Sequence, residues 1–142
     1  MTKLSRVPQE IFLSHASRDR RSATLIAEGL QARGCKVWFS RMSLRGGQDW
    51  HDEIGKALKR CDCFILLLSP AAVRSPWVNR ELIYALSQNH YENRIAPLML
   101  RNCNPETLSW VLSTIQILPK EKSVLAMVSA LVALWTAPPE SS

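Results

Sequence analysis

A chain of 142 residues, 46% hydrophobic and 21% charged, can bury a core without disulfide or metal staples. It holds no apolar run near the ~20 residues that cross a bilayer, and its first nine residues lack a secretory core. One domain in the cytoplasm, with no membrane partner, is the expectation. The net charge of +6 sits in residues 1–60, with 12 Lys/Arg against 6 Asp/Glu; residues 61–142 balance at 6 and 6. These cations are scattered, without a Lys/Arg block or interleaved aromatics, which argues against nucleic acid as the partner. Cys61 and Cys63 form Cys-x-Cys with no second pair and no His-x3-His. With Cys35 and Cys103 they read as reduced structural thiols, and no metal site is expected.

In chain order, residues 1–8 read as a flexible lead-in ending at Pro8. Glu10–His15 is a short apolar run, the first predicted strand. Ser17 or Asp19 is placed to cap a helix whose apolar positions are Ala23, Ile26 and Leu30, with Gly34 as its stop. Cys35–Phe39 is the second strand. Ser40–Asp49 follows, a loop whose Gly46-Gly47 pair permits a sharp turn or close approach to a ligand. Asp49 suits the N-cap of the next helix, which buries Trp50, Ile54, Ala57 and Leu58.

Asp62–Ser69 is the strongest strand, apolar enough to lie mid-sheet with both faces covered. Ser75 caps and Pro76 opens a helix to Gln88, with Val78, Leu82 and Ala85 as its apolar stripe. Trp77 and Glu81, four apart, share one face, and Glu81 borders the stripe. Arg94–Leu100 is a fourth strand, and Pro97 places it toward a sheet edge. A short turn around Glu106–Trp110, a fifth strand at Thr114–Leu118 and a helix at Ser123–Trp135 complete the pattern; Thr136–Ser142 reads as a tail. Alternating strands and helices predict an α/β fold: a flavodoxin-like five-stranded parallel sheet, order 2-1-3-4-5, with helices on both faces. Ligands of such sheets gather at the carboxyl ends of the strands.

Several chemistries are missing their residues. The turn after the first strand, Ser14-His15-Ala16-Ser17, has none of the glycines that dinucleotide-binding G-x-G-x-x-G requires. The acidic pair and phosphorylatable aspartate of a receiver domain are replaced by Ser14-His15 and Ser69, and no Cys-x-x-Cys is present. Four blocks remain: IFLSHASRD (Ile11–Asp19), Gly46-Gly47 before Trp50 and Ile54, FILLLSP (Phe64–Pro70) and SPWVNREL (Ser75–Leu82). In this order and spacing they resemble the Toll/interleukin-1 receptor (TIR) domain family, bacterial members above all, over about residues 9–135.

The resemblance implies one of two functions. Catalytic members cleave the nicotinamide–ribose bond of NAD+ with a glutamate in a Trp-x3-Glu pattern, which Trp77 and Glu81 match. NAD+ is then substrate, and no separate cofactor is implied. Ser14, His15 and Ser17 at the first strand's tip, Trp50 and Trp77 as stacking or lining residues, and Ser43, Gly46 and Gly47 in the loop are the implied substrate-binding positions. The implied enzyme is a glycohydrolase or cyclase of antiphage defence, or an effector, active on self-association or with other TIR domains. The alternative is a non-enzymatic TIR adaptor; a nucleoside-processing enzyme sharing fold and glutamate is a third reading. Many bacterial members carry an acid just after the second strand, where this chain has Ser40-Arg41. Plainer roles stand beside these: helix-dipole stabilisation for Glu81, a loop or capping role for His15, and core packing for Trp50.

Overall fold

The computed structural model describes residues 7–39 and 50–136, apart from the side chains of Trp50 and His51. The predicted Ser40–Asp49 loop, with its Ser43, Gly46 and Gly47, lies outside the described residues. In chain order the regular elements are β1 (Glu10–Ser14), α1 (Arg20–Ala32), β2 (Lys36–Phe39), α2 (Trp50–Arg60), β3 (Cys63–Leu68), α3 (Pro76–Leu86), β4 (Ile95–Met99) and α4 (Val124–Thr136). Short 3-10 turns punctuate the connections, at Ser17–Asp19, Ala72–Arg74, Asn89–Tyr91, Pro105–Thr107 and Trp110–Thr114.

The strands form a parallel sheet of order β2-β1-β3-β4. Alternation along β1 and β3 sorts their side chains into two cores. Ile11, Leu13, Ile65 and Leu67 pack on Ala23, Ile26 and Leu30 of α1 and on Met127, Val128, Leu131 and Trp135 of α4. Phe12, Phe64, Leu66 and Leu68 pack on Ile54 and Leu58 of α2 and on Val78, Leu82 and Ala85 of α3. Gly29 brings α1 tight against α4, because a Cβ there would come within 2.7 Å of Val128 Cγ2.

The predicted fifth strand does not form. Trp110–Thr114 is a 3-10 turn, and from Thr114–Leu118 only Leu118 bridges to Leu98. Leu118 N–H donates to the Pro97 carbonyl (2.9 Å), and Met99 N–H donates to the Leu118 carbonyl (2.9 Å). Continuing this parallel ladder toward Gln116 needs a donor at Pro97, which has none. On the other side Arg101 N–H has already turned to the Leu68 carbonyl. Pro97 therefore stops the sheet at four strands.

The amino ends of three strands are fastened by Asp62. Its carboxylate accepts the Gln9 and Glu10 N–H groups at 3.0–3.1 Å, and the buried Arg94 guanidinium lies 3.6 Å from it. Arg94 Nε also donates to the Asp62 carbonyl at 2.9 Å. Asp62→Ala removes a carboxylate facing a buried cation, so it should cost about 2–4 kcal/mol in urea unfolding. A loss below about 0.5 kcal/mol, the range of neutral surface changes, contradicts this role.

All four cysteines are free thiols, and Cys35, Cys61 and Cys63 are buried. Burial pushes both Cys61 and Cys63 up to about 12. The folded chain therefore keeps two protons that the unfolded chain gives up from about pH 9. Unfolding then releases protons, so stability should fall as pH rises from about 9 toward 12, by up to about 1.4 kcal/mol per pH unit per thiol. Urea midpoints at pH 8 and 10.5 measure the decline, which should shrink in a Cys61→Ala/Cys63→Ala variant.

Candidate active site

Strand order reverses direction between β1 and β3: from β1 the chain crosses to β2 on one side, and from β3 to β4 on the other. The carboxyl ends of these two strands therefore open a crevice, the place where such sheets take ligands. Ser14 is the last residue of β1 and follows the alternation of Phe12 onto the α3 face. Its hydroxyl donates to Glu81 Oε1 at 2.7 Å. Serine and glutamate are both buried, with Glu81 only 2% exposed.

Glu81 reaches this position because α3 starts where it does. Ser75 Oγ accepts the Val78 N–H at 3.1 Å, and Pro76 fills the first helical position without an orphan donor. That start turns Val78, Glu81, Leu82 and Ala85 inward together. Glu81 thus lies within the buried face, deeper than the border position its spacing suggests. Trp77 sits one turn earlier, half-buried, with the Arg80 guanidinium 5.8 Å from its ring centre.

The other predicted residues fall as follows. His15 is buried; its Nδ1 donates to the Ala16 carbonyl at 2.8 Å, and its ring meets Phe39 edge-on at 6.1 Å. Donation from Nδ1 assigns the proton in the neutral ring to that nitrogen. Ser17 is exposed in the turn before α1. Beside them, Trp38 of β2 is partly buried, stacks on Phe12 at 5.2 Å and packs against the α2/α3 core. Trp50 opens α2, its side chain outside the described residues. A cleft of about 850 Å³ lies elsewhere, between the end of α3, Asn89–Asn93 and Val111–Gln116. None of the predicted site residues lines it, and the chemistry argues for the Ser14–Glu81 crevice instead.

One residue was misjudged from the sequence. Asp19 occupies the N-cap position of α1 but makes no capping bond. Its buried carboxylate accepts from the Ser69 hydroxyl at 2.5 Å and lies 3.5 Å from Arg101 Nε. Ser69 continues the β3 alternation onto the α1 face, opposite to Ser14. The crevice therefore has a buried acid on each face of the sheet. Only Glu81 stood out in the sequence, because Asp19 in S-x-D before a helix looks like an ordinary cap.

A family model described as the TIR domain matches residues 11–124. An NAD(+) hydrolase of Paracoccus denitrificans is 30% identical over 106 residues, 72% of this chain and 35% of that protein. A 2' cyclic ADP-D-ribose synthase of Bacteroides thetaiotaomicron is 31% identical over 74 residues, 51% of this chain and 26% of that protein. The chain thus spans about a quarter to a third of the length of these two curated relatives. The TIR domain of a Toll-related receptor from Hydra magnipapillata has the same fold, with a TM-score of 0.65 at 19% identity, covering 77% of this chain and 82% of that one.

The Ser14 hydroxyl is a buried donor to a buried carboxyl group, so Ser14→Ala should lower stability by about 1–3 kcal/mol in urea unfolding. Ser14→Thr, which keeps the hydroxyl, should recover part of that loss; equal losses in both variants would mean the hydrogen bond contributes little.

Proposed function

The chain belongs to the TIR domain family, and from that premise we propose that it cleaves the nicotinamide–ribose bond of NAD+, with Glu81 as the catalytic carboxylate. The observation that carries the proposal is a glutamate 2% exposed, held by Ser14 at the crevice between β1 and β3. Burying a carboxyl group is costly, and a fold retains one at a ligand crevice when its charge has work to do. The relatives named as an NAD(+) hydrolase and a cyclic ADP-D-ribose synthase support the same chemistry.

One carboxylate suffices for this bond. In most glycosidases a second carboxyl group protonates a poor leaving group. Nicotinamide in NAD+ already carries positive charge on its ring nitrogen; when the C1'–N bond breaks, the electron pair goes to that nitrogen and the ring leaves neutral. The charge left behind is a ribosyl oxocarbenium, which a fixed anion at Glu81 stabilises. Water then adds at C1' to give ADP-ribose, or a hydroxyl of the same molecule adds to give a cyclic product; either nucleophile loses one proton. Ser14 holds one carboxyl oxygen in place, and the half-buried Trp77, one turn before Glu81, is assigned to the substrate-binding set as a ring for stacking.

His15 and Ser17 at the β1 tip, Trp50 at the start of α2, and Ser43, Gly46 and Gly47 in the segment leaving β2 at Phe39 complete the proposed substrate-binding set. Activation by self-association belongs to the same proposal, with that segment contributed or held by a neighbour. A second reading, a non-enzymatic adaptor, draws support from exposed apolar side chains at Trp110 (72%), Leu125 (72%) and Ile83 (58%).

Concentrated protein incubated with NAD+ should release nicotinamide, measured chromatographically, and Glu81→Gln should reduce the rate by about 100-fold or more. Melting temperatures of wild type and Glu81→Gln, measured in parallel, show whether a loss of rate reflects unfolding. Equal nicotinamide release from wild type and variant refutes the assignment. No release at any concentration, with binding lost on Trp110→Ala, favours the adaptor.

A further inference from the structure

Asp19 is a favourable N-cap residue, sits at the N-cap position of α1, and makes no cap bond. Its carboxylate is spent on distant partners instead: Oδ2 accepts from Ser69, just past β3, and Oδ1 faces Arg101, just past β4. Ser69 Oγ in turn accepts the Ala72 N–H at 3.0 Å, so one hydroxyl joins Asp19 to the turn that leads toward α3. The backbone of Asp19 is tied as well, its N–H donating to the Ala16 carbonyl at 2.9 Å. That same carbonyl accepts from His15 Nδ1 at 2.8 Å. The chain from Ser14 to Asp19 is thus pinned at both ends, by Glu81 on one face of the sheet and by Ser69 and Arg101 on the other.

We infer that Asp19 is a positioning residue: by fastening the β1–α1 turn to the ends of β3 and β4, it fixes Ser14 and His15 relative to the Glu81 carboxylate. The inference deepens the NAD+ cleavage reading and rests on it for its effect on rate. Asp19 touches no reacting atom in this account. It acts through the Ala16 carbonyl and the backbone between Ser14 and Asp19. A displacement on the order of 1 Å at a reacting centre lowers rates by about 100-fold, so a loosened turn is felt in turnover.

The test compares wild type with Asp19→Ala, Asp19→Asn, Ser69→Ala and, as a stability control at the other end of the sheet, Asp62→Ala. With NAD+ as substrate, at a temperature well below every melt, Asp19→Ala should lower kcat by about ten-fold or more and leave KM within about three-fold. Ser69→Ala, which removes only a hydroxyl, should lower kcat in the same direction and covers the case in which Asp19→Ala does not fold. Asp19→Asn keeps an oxygen that accepts from Ser69 and should retain most of the rate. Asp62→Ala should lose stability without losing kcat. Independently of turnover, the imidazole NMR resonances of His15 should move in Asp19→Ala and Ser69→Ala and stay in place in Asp62→Ala, with His90 as internal reference. Wild-type kcat in both Asp19→Ala and Ser69→Ala overturns the inference, as does an equal kcat loss in Asp62→Ala. If wild type releases no nicotinamide, the functional reading fails by itself. The pin then stands or falls on whether the His15 resonances move.

Discussion

The pairing of β1 with β3 in the middle of the sheet, covered on both faces, is the constraint from which the rest follows. Ile11 pairs with Cys63, Phe12 with Phe64, Leu13 with Ile65 and Ser14 with Leu66. Both strands are apolar on both faces, so the register cannot slip by one residue without exchanging the two cores. Polar side chains enter only where the strands end. There the strict alternation sends Ser14 to the α3 face and Ser69 to the α1 face. Each meets a buried acid, Glu81 and Asp19 respectively. The crevice is the place where the apolar pattern stops.

The two ends of the sheet use buried charge differently. At the amino end, the Asp62 carboxylate accepts the first backbone donors of β1 and faces the buried Arg94 guanidinium, an arrangement with a structural purpose. At the carboxyl end the charged groups come from different elements: Asp19 and Arg101 from connecting segments and Glu81 from α3. The thiols sit with the amino-end group. Cys61 and Cys63 are deep, neutral and held protonated by burial, so they act as small apolar side chains.

Much of this was legible in the sequence. The Phe64–Leu68 run marked the central strand, Ser75-Pro76 marked the start of α3, and Trp77 with Glu81 marked the inward-facing acid. These signals are local: a run, a cap, a four-residue spacing. The errors arose where the deciding partner is remote. Thr114–Leu118 has the composition of a strand, yet the rung it needs is removed by Pro97, in a different element. Asp19 has the sequence context of a cap, but the Ser69 hydroxyl that claims it lies 50 residues on. The burial of Glu81 was underestimated for the same reason, since the spacing within α3 says nothing about the serine that β1 brings to it.

Two buried acids at one crevice are held in different ways. Both oxygens of Asp19 are engaged, Oδ2 by the Ser69 hydroxyl and Oδ1 by the Arg101 guanidinium, and its backbone closes a turn. A proton donor or nucleophile at Asp19 would have to break that set, and the turn carrying Ser14 and His15 would loosen with it. Glu81 stands on a rigid helix whose start is fixed by a cap and a proline, and the contact from Ser14 orients one oxygen. Departure of a neutral pyridine from a cationic ring needs only the carboxylate. In the proposed reaction Asp19 positions and Glu81 supplies charge, a division of labour that asks for no proton at the leaving group.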